Sequence, residues 1–236
     1  VLAFAAERAG RFENVVVLGI GGSALGTTAC QAALGRSWHN LAPGGRPRLF
    51  VLDNVDPDPT HEFLELCDPA KTLFNVISKS GGTAETMAQF LIFREALVQR
   101  VGRAAHAEHL VVTTDARSGV LREIVQREGY ASFEVPDGVG GRFSVLSAVG
   151  LLPLALAGVD VAGLLAGAAE MDERCRSEEL LLNPAAVHAA IQWLMHVKKR
   201  KPISVTFAYS QRLAALGDWY AQLLGESIGK RSSRSG

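Results

Sequence analysis

The chain has 236 residues, of which 48% are hydrophobic and 20% are charged. This composition supports a buried core and excludes intrinsic disorder and collagen-like repeats. Lysine plus arginine equals aspartate plus glutamate at 24 each, so the chain lacks the basic surface that attracts duplex DNA or an anionic membrane. We therefore expect a small-molecule partner and neither nucleic acid nor a membrane.

Short apolar runs alternate with longer amphipathic segments in the N-terminal part of the chain. The runs predict strands at residues 14–18, 48–52, 73–77, 109–113 and 132–135. Strands that are apolar on both faces and joined by helices indicate a mostly parallel sheet with helices on both sides. We predict an α/β fold for residues 1–142: a three-layer αβα sandwich around a mostly parallel sheet of five strands.

A glycine-rich sequence, GIGGSALG, follows the first predicted strand at residues 19–26. Its glycines let the backbone approach a ligand, and N–H groups at the start of the next helix favour an anion. It also matches a dinucleotide fingerprint loosely, with Asp53 as the ribose-binding acid, but Asp53 lies too far along the chain and Gly22 and Ser23 stay unexplained. A tight turn that binds nothing is the other alternative.

The sequence SKSGGTAET, residues 78–86, follows the third predicted strand. Ser78, Ser80 and Thr83 can donate hydroxyl protons, and Lys79 can add a positive charge. A simple helix N-cap by Thr83 is the alternative. Because two hydroxyl-rich glycine loops follow neighbouring strands at the carboxyl edge of one sheet, where such sheets bind ligands, the pair favours a phosphate site.

Two further segments place a charged side chain beside apolar residues. The glycine loop DGVGGRFSVLS at residues 137–147 carries Arg142, which could stabilise negative charge on a substrate oxygen or simply form an ion pair. Glu226 lies among apolar neighbours near the end of the last predicted helix. A carboxylate in such a place can act as a general base, although an ordinary exposed glutamate is the alternative.

The chain shows no pattern typical of a metal site, a disulfide framework or a secreted protein. Cys30, Cys67 and Cys175 lie far apart, and no HExxH or GxSxG motif is present. The stretch that begins at Val1 has no signal-peptide pattern. We expect a cytoplasmic protein without a metal ion. Four histidines are expected at the surface, near loops or helix ends: His39, His61, His106 and His109.

The pattern becomes helical after the predicted sheet. An uncharged run at residues 143–159 approaches the length of a membrane span, about 17–25 residues, but its Gly150 and Pro153 favour a helix in a large core. Residues 143–200 are predicted to form a helical connection. A strand at 202–207 and a helix at 211–227 then begin another α/β unit.

We expect residues 201–236 to be the start of a second, truncated domain, because one strand and one helix cannot form a core alone. We assign no function to the terminal sequence RSSRSG.

Taken in order, GIGGSALG, SKSGGTAET, DGVGGRFSVLSAVG and WYAQLLGESIGK resemble the glucose-6-phosphate isomerase family built from two sugar isomerase (SIS) domains. The resemblance covers about residues 15–230. It implies the SIS fold, with Arg142 stabilising an enediolate and Glu226 moving a proton between C1 and C2. It also implies that the substrate phosphate contacts Gly22, Ser23, Ser78, Lys79, Ser80, Thr83 and Thr86.

The resemblance further implies interconversion of glucose 6-phosphate and fructose 6-phosphate, in glycolysis and gluconeogenesis, with no cofactor. Family members continue through most of a second SIS domain, which carries the ring-opening histidine, and they form homodimers at full length. We therefore expect this chain, as a truncated form, to bind sugar phosphate poorly and to isomerise it slowly or not at all.

Two alternatives stay open at this point. A non-catalytic SIS-type regulator that binds sugar phosphates would keep both glycine loops but would not need Arg142 or Glu226. A nicotinamide-dependent dehydrogenase would explain only the first loop.

Overall fold

The computed structural model describes residues 1–232. It divides into two compact units. The first contains Val1–Val159 together with the chain from Ser210 onward, and the second is Asp160–Tyr209.

A parallel sheet of five strands lies at the centre of the first unit. The strands are β1 (Asn14–Leu18), β2 (Arg48–Leu52), β3 (Thr72–Ile77), β4 (Leu110–Thr114) and β5 (Ala131–Glu134). Their spatial order is β2-β1-β3-β4-β5. The predicted α/β fold and its five-stranded parallel sheet are confirmed.

Helices flank the sheet and continue into the second unit. They are α1 (Leu2–Arg8), α2 (Leu25–Leu34), α3 (Pro57–Leu66), α4 (Ala84–Val101), α5 (Val120–Glu128), α6 (Ala148–Leu156), α7 (Val161–Cys175), α8 (Pro184–Trp193) and α9 (Ala215–Ile228). Short 3₁₀ helices at Gly21–Ser23 and Gly141–Leu146 precede α2 and α6. Helices α7 and α8 belong to the second unit, and α9 belongs to the first.

The core is centred on the middle strands of the sheet. Every residue of β1, β3 and β4 is buried, whereas the edge strands β2 and β5 are partly exposed. Phe74 of β3 packs against Phe93 of α4 with ring centroids 5.2 Å apart. Burial on both faces explains why these strands are continuous apolar runs instead of alternating ones.

The chain changes direction across the sheet between β1 and β3. Strand β2 follows β1 on one side, while β3, β4 and β5 continue on the other. In register, Leu18 of β1 lies opposite Val76 of β3, so the two strands end side by side. Such a switch point, at the carboxyl ends of parallel strands, is where open α/β sheets bind ligands.

The uncharged run at 143–159 contributes to the core. It begins in the 3₁₀ helix Gly141–Leu146 and continues as α6, in which residues 149–156 are all buried. No helix among residues 1–232 has both the length and the apolar character that a membrane span requires.

The structure differs from the sequence prediction after residue 142. Helix α6 belongs to the first unit, whereas α7 and α8 belong to the second; the helical connection over 143–200 stays a prediction. The strand predicted at 202–207 is wrong: this segment has no regular secondary structure and is exposed. A strand needs a neighbour for its backbone hydrogen bonds, and no strand of the described chain pairs with this segment.

The assignment of 201–236 to a second SIS domain stays a prediction. Residues 233–236 of the sequence RSSRSG lie outside the described residues.

Candidate active site

The loop between β3 and α4, residues 78–83, turns back on itself at the end of β3. Ser78 Oγ and Thr83 Oγ1 share a hydrogen bond of 2.9 Å. Gly81 has a φ of +68°, which favours glycine, and its N–H donates to Ser78 Oγ at 3.2 Å. Thr83 occupies the N-cap position of α4, but its hydroxyl makes no capping bond. The start of α4 is therefore without a side-chain cap, which suits an anion.

The loop between β1 and α2, residues 19–24, packs on the segment that carries Arg142. A β-carbon built on Gly22 would lie 2.3 Å from the carbonyl carbon of Gly141 and 2.6 Å from the backbone nitrogen of Arg142. Only glycine allows this approach without a backbone shift. The contact explains why residue 22 is a glycine, which the dinucleotide fingerprint did not explain.

Both loops face one cleft of about 440 Å³. Among its lining residues are all the phosphate contacts that the resemblance implies: Gly22, Ser23, Ser78, Lys79, Ser80, Thr83 and Thr86. Arg142 and Glu226 do not line this cleft, but Gly141, which immediately precedes Arg142, does. The structure therefore brings the two glycine loops together and places the Arg142 segment at their border.

Two polar side chains of the cleft have unusual surroundings. Residue Thr86 is only 1% exposed, and its hydroxyl has no hydrogen-bond partner among the described residues. A buried hydroxyl without a partner costs about 1–3 kcal/mol, so a ligand that bonds to it would recover this free energy. Lys79 Nζ donates to the Val139 carbonyl at 2.6 Å, which joins the β3–α4 loop to the segment before Arg142.

Arg142 and Glu226 meet in the structure although 84 residues separate them. Arg142 Nη1 lies 3.4 Å from Glu226 Oε2, and its Nε donates to Ser227 Oγ at 3.0 Å. The guanidinium carbon lies 4.5 Å from the centroid of the Phe143 ring. The ion pair that was the alternative for Arg142 is present, and its partner is Glu226, the residue that the resemblance implies as the base.

Gln222 is a further residue at this position, and the sequence analysis missed it. Its Nε2 donates to Glu226 Oε1 at 2.9 Å, so both carboxylate oxygens of Glu226 are bonded. The same Nε2 would lie 2.8 Å from a β-carbon on Gly21. The spacing of four residues on one helix is the signal that could have indicated the contact with Glu226.

The loop between β4 and α5, residues 115–119, also lines the cleft, through Asp115 and Ser118. The N–H of Arg117 and the N–H of Ser118 each donate to Asp115 Oδ1 at 2.9 Å. These bonds, that of Arg117 first, lower the pKa of the Asp115 carboxyl below its ordinary value. Neither residue belongs to a motif of the sequence, so only the fold reveals their position.

Two of the four histidine predictions are wrong. His39 and His106 are buried, with 6% and 3% of their surface exposed. His39 Nε2 donates to the Pro47 carbonyl at 2.8 Å, and His106 Nε2 shares a 2.8 Å hydrogen bond with Tyr130 Oη. Neither histidine lines the cleft. Residues 1–232 contain no group of three or more His, Cys, Asp or Glu side chains that could hold a metal ion.

The sequence matches the phosphoglucose isomerase family over residues 4–236. A glucose-6-phosphate isomerase of Carboxydothermus hydrogenoformans is 48% identical over 96% of this chain, and one of Rubrobacter xylanophilus is 46% identical over 92%. The alignments cover 49% and 50% of those proteins, so the chain spans about half the length of these curated relatives.

Solved structures agree with this similarity. A hypothetical protein from Thermus thermophilus superposes with a TM-score of 0.88 at 42% identity, over all of this chain and 53% of that protein. A glucose-6-phosphate isomerase from Chlamydia trachomatis superposes with a TM-score of 0.86 at 30% identity, over 99% of this chain and 44% of that protein. On sequence and fold together, the chain belongs to the phosphoglucose isomerase family.

Proposed function

We propose that this chain supplies the phosphate-binding loops and the base of an aldose–ketose isomerase that interconverts glucose 6-phosphate and fructose 6-phosphate. The observation that carries the proposal is the contact of Gly22 with the Gly141–Arg142 peptide. Through this contact, the cleft at the switch point of the sheet reaches Gly141, the residue next to Arg142, and Arg142 pairs with Glu226. Family membership supports the same reaction.

The phosphate is bound at the carboxyl ends of β1 and β3. The hydroxyl groups of Ser80 and Thr83 donate to its oxygens, and Ser78, which shares a hydrogen bond with Thr83 Oγ1, orients the Thr83 hydroxyl beside the phosphate. The uncapped start of α4 adds a positive dipole. Thr86 gains the partner that its buried hydroxyl lacks. This distant anchor orients the sugar without taking part in bond making, so its binding energy is available to position the reacting carbons.

The chemistry takes place at the other end of the sugar chain. In the open-chain aldose, Glu226 takes the proton from C2, the C–H electron pair forms the C1–C2 double bond, and the carbonyl oxygen at C1 becomes the enediolate oxygen. The Arg142 guanidinium stabilises that negative charge. Return of the proton to C1, with transfer of the hydroxyl proton from O2 to O1, gives the ketose.

Gln222 and Ser227 hold this pair in position. Gln222 bonds to one carboxylate oxygen of Glu226, and Ser227 accepts a hydrogen bond from Arg142. Both lie on α9 with Glu226, so a single helix fixes the base and its surroundings. In the reaction, the substrate oxygen accepts the hydrogen bond that Arg142 Nη1 now donates to Glu226 Oε2.

For this chain taken alone we propose weak sugar-phosphate binding and slow isomerisation. The relatives are about twice as long, and the resemblance assigns ring opening and the homodimer contact to their other half. The full activity, the cytoplasmic location and the dimer are proposals for the whole protein.

Exchange of the C2 proton of glucose 6-phosphate with D₂O tests the role of Glu226. We expect Glu226→Gln to abolish exchange while the affinity for glucose 6-phosphate changes less than about twofold, because the substituted amide still accepts and donates hydrogen bonds but cannot take a proton. Ser80→Ala should instead weaken binding of all phosphorylated sugars alike. Both quantities are measured by NMR on the same samples.

The outcomes separate the proposal from its alternatives. Equal loss of exchange and of affinity in Glu226→Gln would contradict a role as base. Tight binding of sugar phosphate by the unaltered chain, which the isomerase proposal expects to bind weakly, would favour the SIS-type regulator.

A further inference from the structure

The β4–α5 loop forms a third wall of the cleft, beside the β3–α4 loop. The backbone N–H of Asp115 donates to the Lys79 carbonyl at 3.3 Å, and the Thr114 hydroxyl donates to the Ser78 carbonyl at 2.7 Å. Gly119 has a φ of +98°, and a β-carbon there would lie 2.6 Å from the Ser80 carbonyl oxygen. The backbones of the two loops are therefore packed against each other, and residues of both loops line the same cleft.

Ser118 is the exposed hydroxyl of this third wall. Its Oγ donates to Asp115 Oδ1 at 3.1 Å, a long bond for a hydroxyl and a carboxylate. Asp115 Oδ1 also accepts the N–H groups of Arg117 and Ser118 at 2.9 Å. Because Asp115 keeps these two backbone bonds, the Ser118 hydroxyl can rotate away and donate to a ligand without leaving the carboxylate unsatisfied.

A buried positive charge lies directly behind the loop. Arg122 is 8% exposed, and its Nε donates to the Asp115 carbonyl at 2.7 Å. Its Nη1 donates to Ser132 Oγ at 3.1 Å, but its Nη2 is buried without a partner, and Arg122 makes no ion pair with any carboxylate of residues 1–232. Arg122 thereby fixes the backbone of the β4–α5 loop at Asp115 from the buried side.

We infer that Ser118 is a further phosphate-binding residue of this cleft, carried by a loop whose backbone is held by hydrogen bonds to Asp115 and from Arg122. This role rests on the proposed function. A second observation at the same cleft is the buried Thr86 hydroxyl, which has no partner among the described residues and which a ligand oxygen would satisfy. The phosphate thus has hydrogen-bond donors at the carboxyl ends of three strands that are adjacent in the sheet, β1, β3 and β4.

Titration of the purified chain with inorganic phosphate and with glucose 6-phosphate, followed by NMR, tests this role. We expect Ser118→Ala to raise the dissociation constants for both by the same factor, about tenfold, which is the loss of one hydrogen bond to a charged group. Ser118→Thr, which keeps the hydroxyl, should restore most of the affinity. Ser177→Ala, in the second unit, is the matched control and should bind both ligands as the unaltered chain does.

Ser80→Ala, measured alongside, separates the failure of this role from that of the proposed function. If Ser80→Ala weakens phosphate binding and Ser118→Ala stays within twofold, Ser118 is not a ligand and the proposed function stands. If Ser118→Ala weakens glucose 6-phosphate but not inorganic phosphate, its contact is with the sugar and the inference is wrong. If Ser80→Ala has no effect while Ser118→Ala does, Ser80 loses its proposed contact and Ser118 keeps its own.

Discussion

Strand β3 (TLFNVI) and the segment at residues 202–207 (PISVTF) contain the same types of residue, but only the first forms a strand. All of β3 is buried between β1 and β4. In the other segment Ile203, Val205 and Phe207 are 80%, 74% and 73% exposed. Both have the β-branched and aromatic residues typical of strands. The difference shows that such residues form a strand only where a neighbouring strand pairs with them and a helix layer packs on them.

The largest effect should come from removing one aromatic ring from each region. Phe74 of β3 is fully buried against Phe93, so Phe74→Ala should lower the free energy of unfolding by about 3–5 kcal/mol. Phe207→Ala should change it by less than about 0.5 kcal/mol. Urea denaturation of both variants gives the two values. Similar losses would mean that 202–207 is packed in solution, and the contrast between the regions would not hold.

The comparison also separates what the sequence could predict from what it could not. The third strand was predicted at 73–77 and is found at Thr72–Ile77, because a continuous apolar run bounded by polar residues is a local signal. The glycine loops were placed correctly at the ends of β1 and β3 for the same reason. The false strand at 202–207 carries the same local signal, and only the tertiary structure distinguishes it.

The residues that were missed depend on contacts distant in sequence. His106 is buried beside Tyr130, 24 residues later, whose hydroxyl shares a hydrogen bond with the imidazole ring. Asp115 and Ser118 reach the cleft because β4 lies beside β3 in the sheet. Gln222 reaches Gly21 because α9 packs on the β1–α2 loop. No local pattern encodes these contacts.

A smaller effect is expected at the contact that joins the loops of the site. Gly22→Ala should lower the free energy of unfolding by about 1–3 kcal/mol and weaken phosphate binding, because its β-carbon overlaps the Gly141–Arg142 peptide. Gly82→Ala is the matched control in the β3–α4 loop, where a β-carbon meets nothing within 4 Å. Denaturation and phosphate titration of both variants provide the test. A Gly22→Ala protein as stable as Gly82→Ala would show that the loops are not in contact.

The smallest effect concerns the surface next to the buried strand. Arg100 on α4 donates two hydrogen bonds of 2.9 Å to Asp68, just before β3, and these are the main reason that the pKa of Asp68 is lowered. A lowered pKa means that this contribution to stability is present above the ordinary value of 3.8 and is lost as the pH falls below it. The effect should be small because the Arg100 side chain is exposed and Asp68 is only half-buried.

Asp68→Asn should therefore be slightly less stable than the unaltered chain at pH 7, and the two stabilities should converge below about pH 4. Arg100→Gln should show the same convergence. Denaturation midpoints across this pH range provide the measurement. A difference between the two proteins that grows as the pH is lowered would have the wrong sign for this ion pair.

The central claim is that the loops after β1 and β3 form one phosphate site that borders Arg142. Amide shifts of the isotopically labelled chain, recorded while glucose 6-phosphate is added and repeated with glucose, test it most directly. We predict that glucose 6-phosphate shifts the amides of Gly21–Ser23, of residues 78–83 and of Arg142 together, with one dissociation constant, and that glucose shifts none of them. Shifts confined to one of the two loops, or equal shifts with glucose, would contradict the claim.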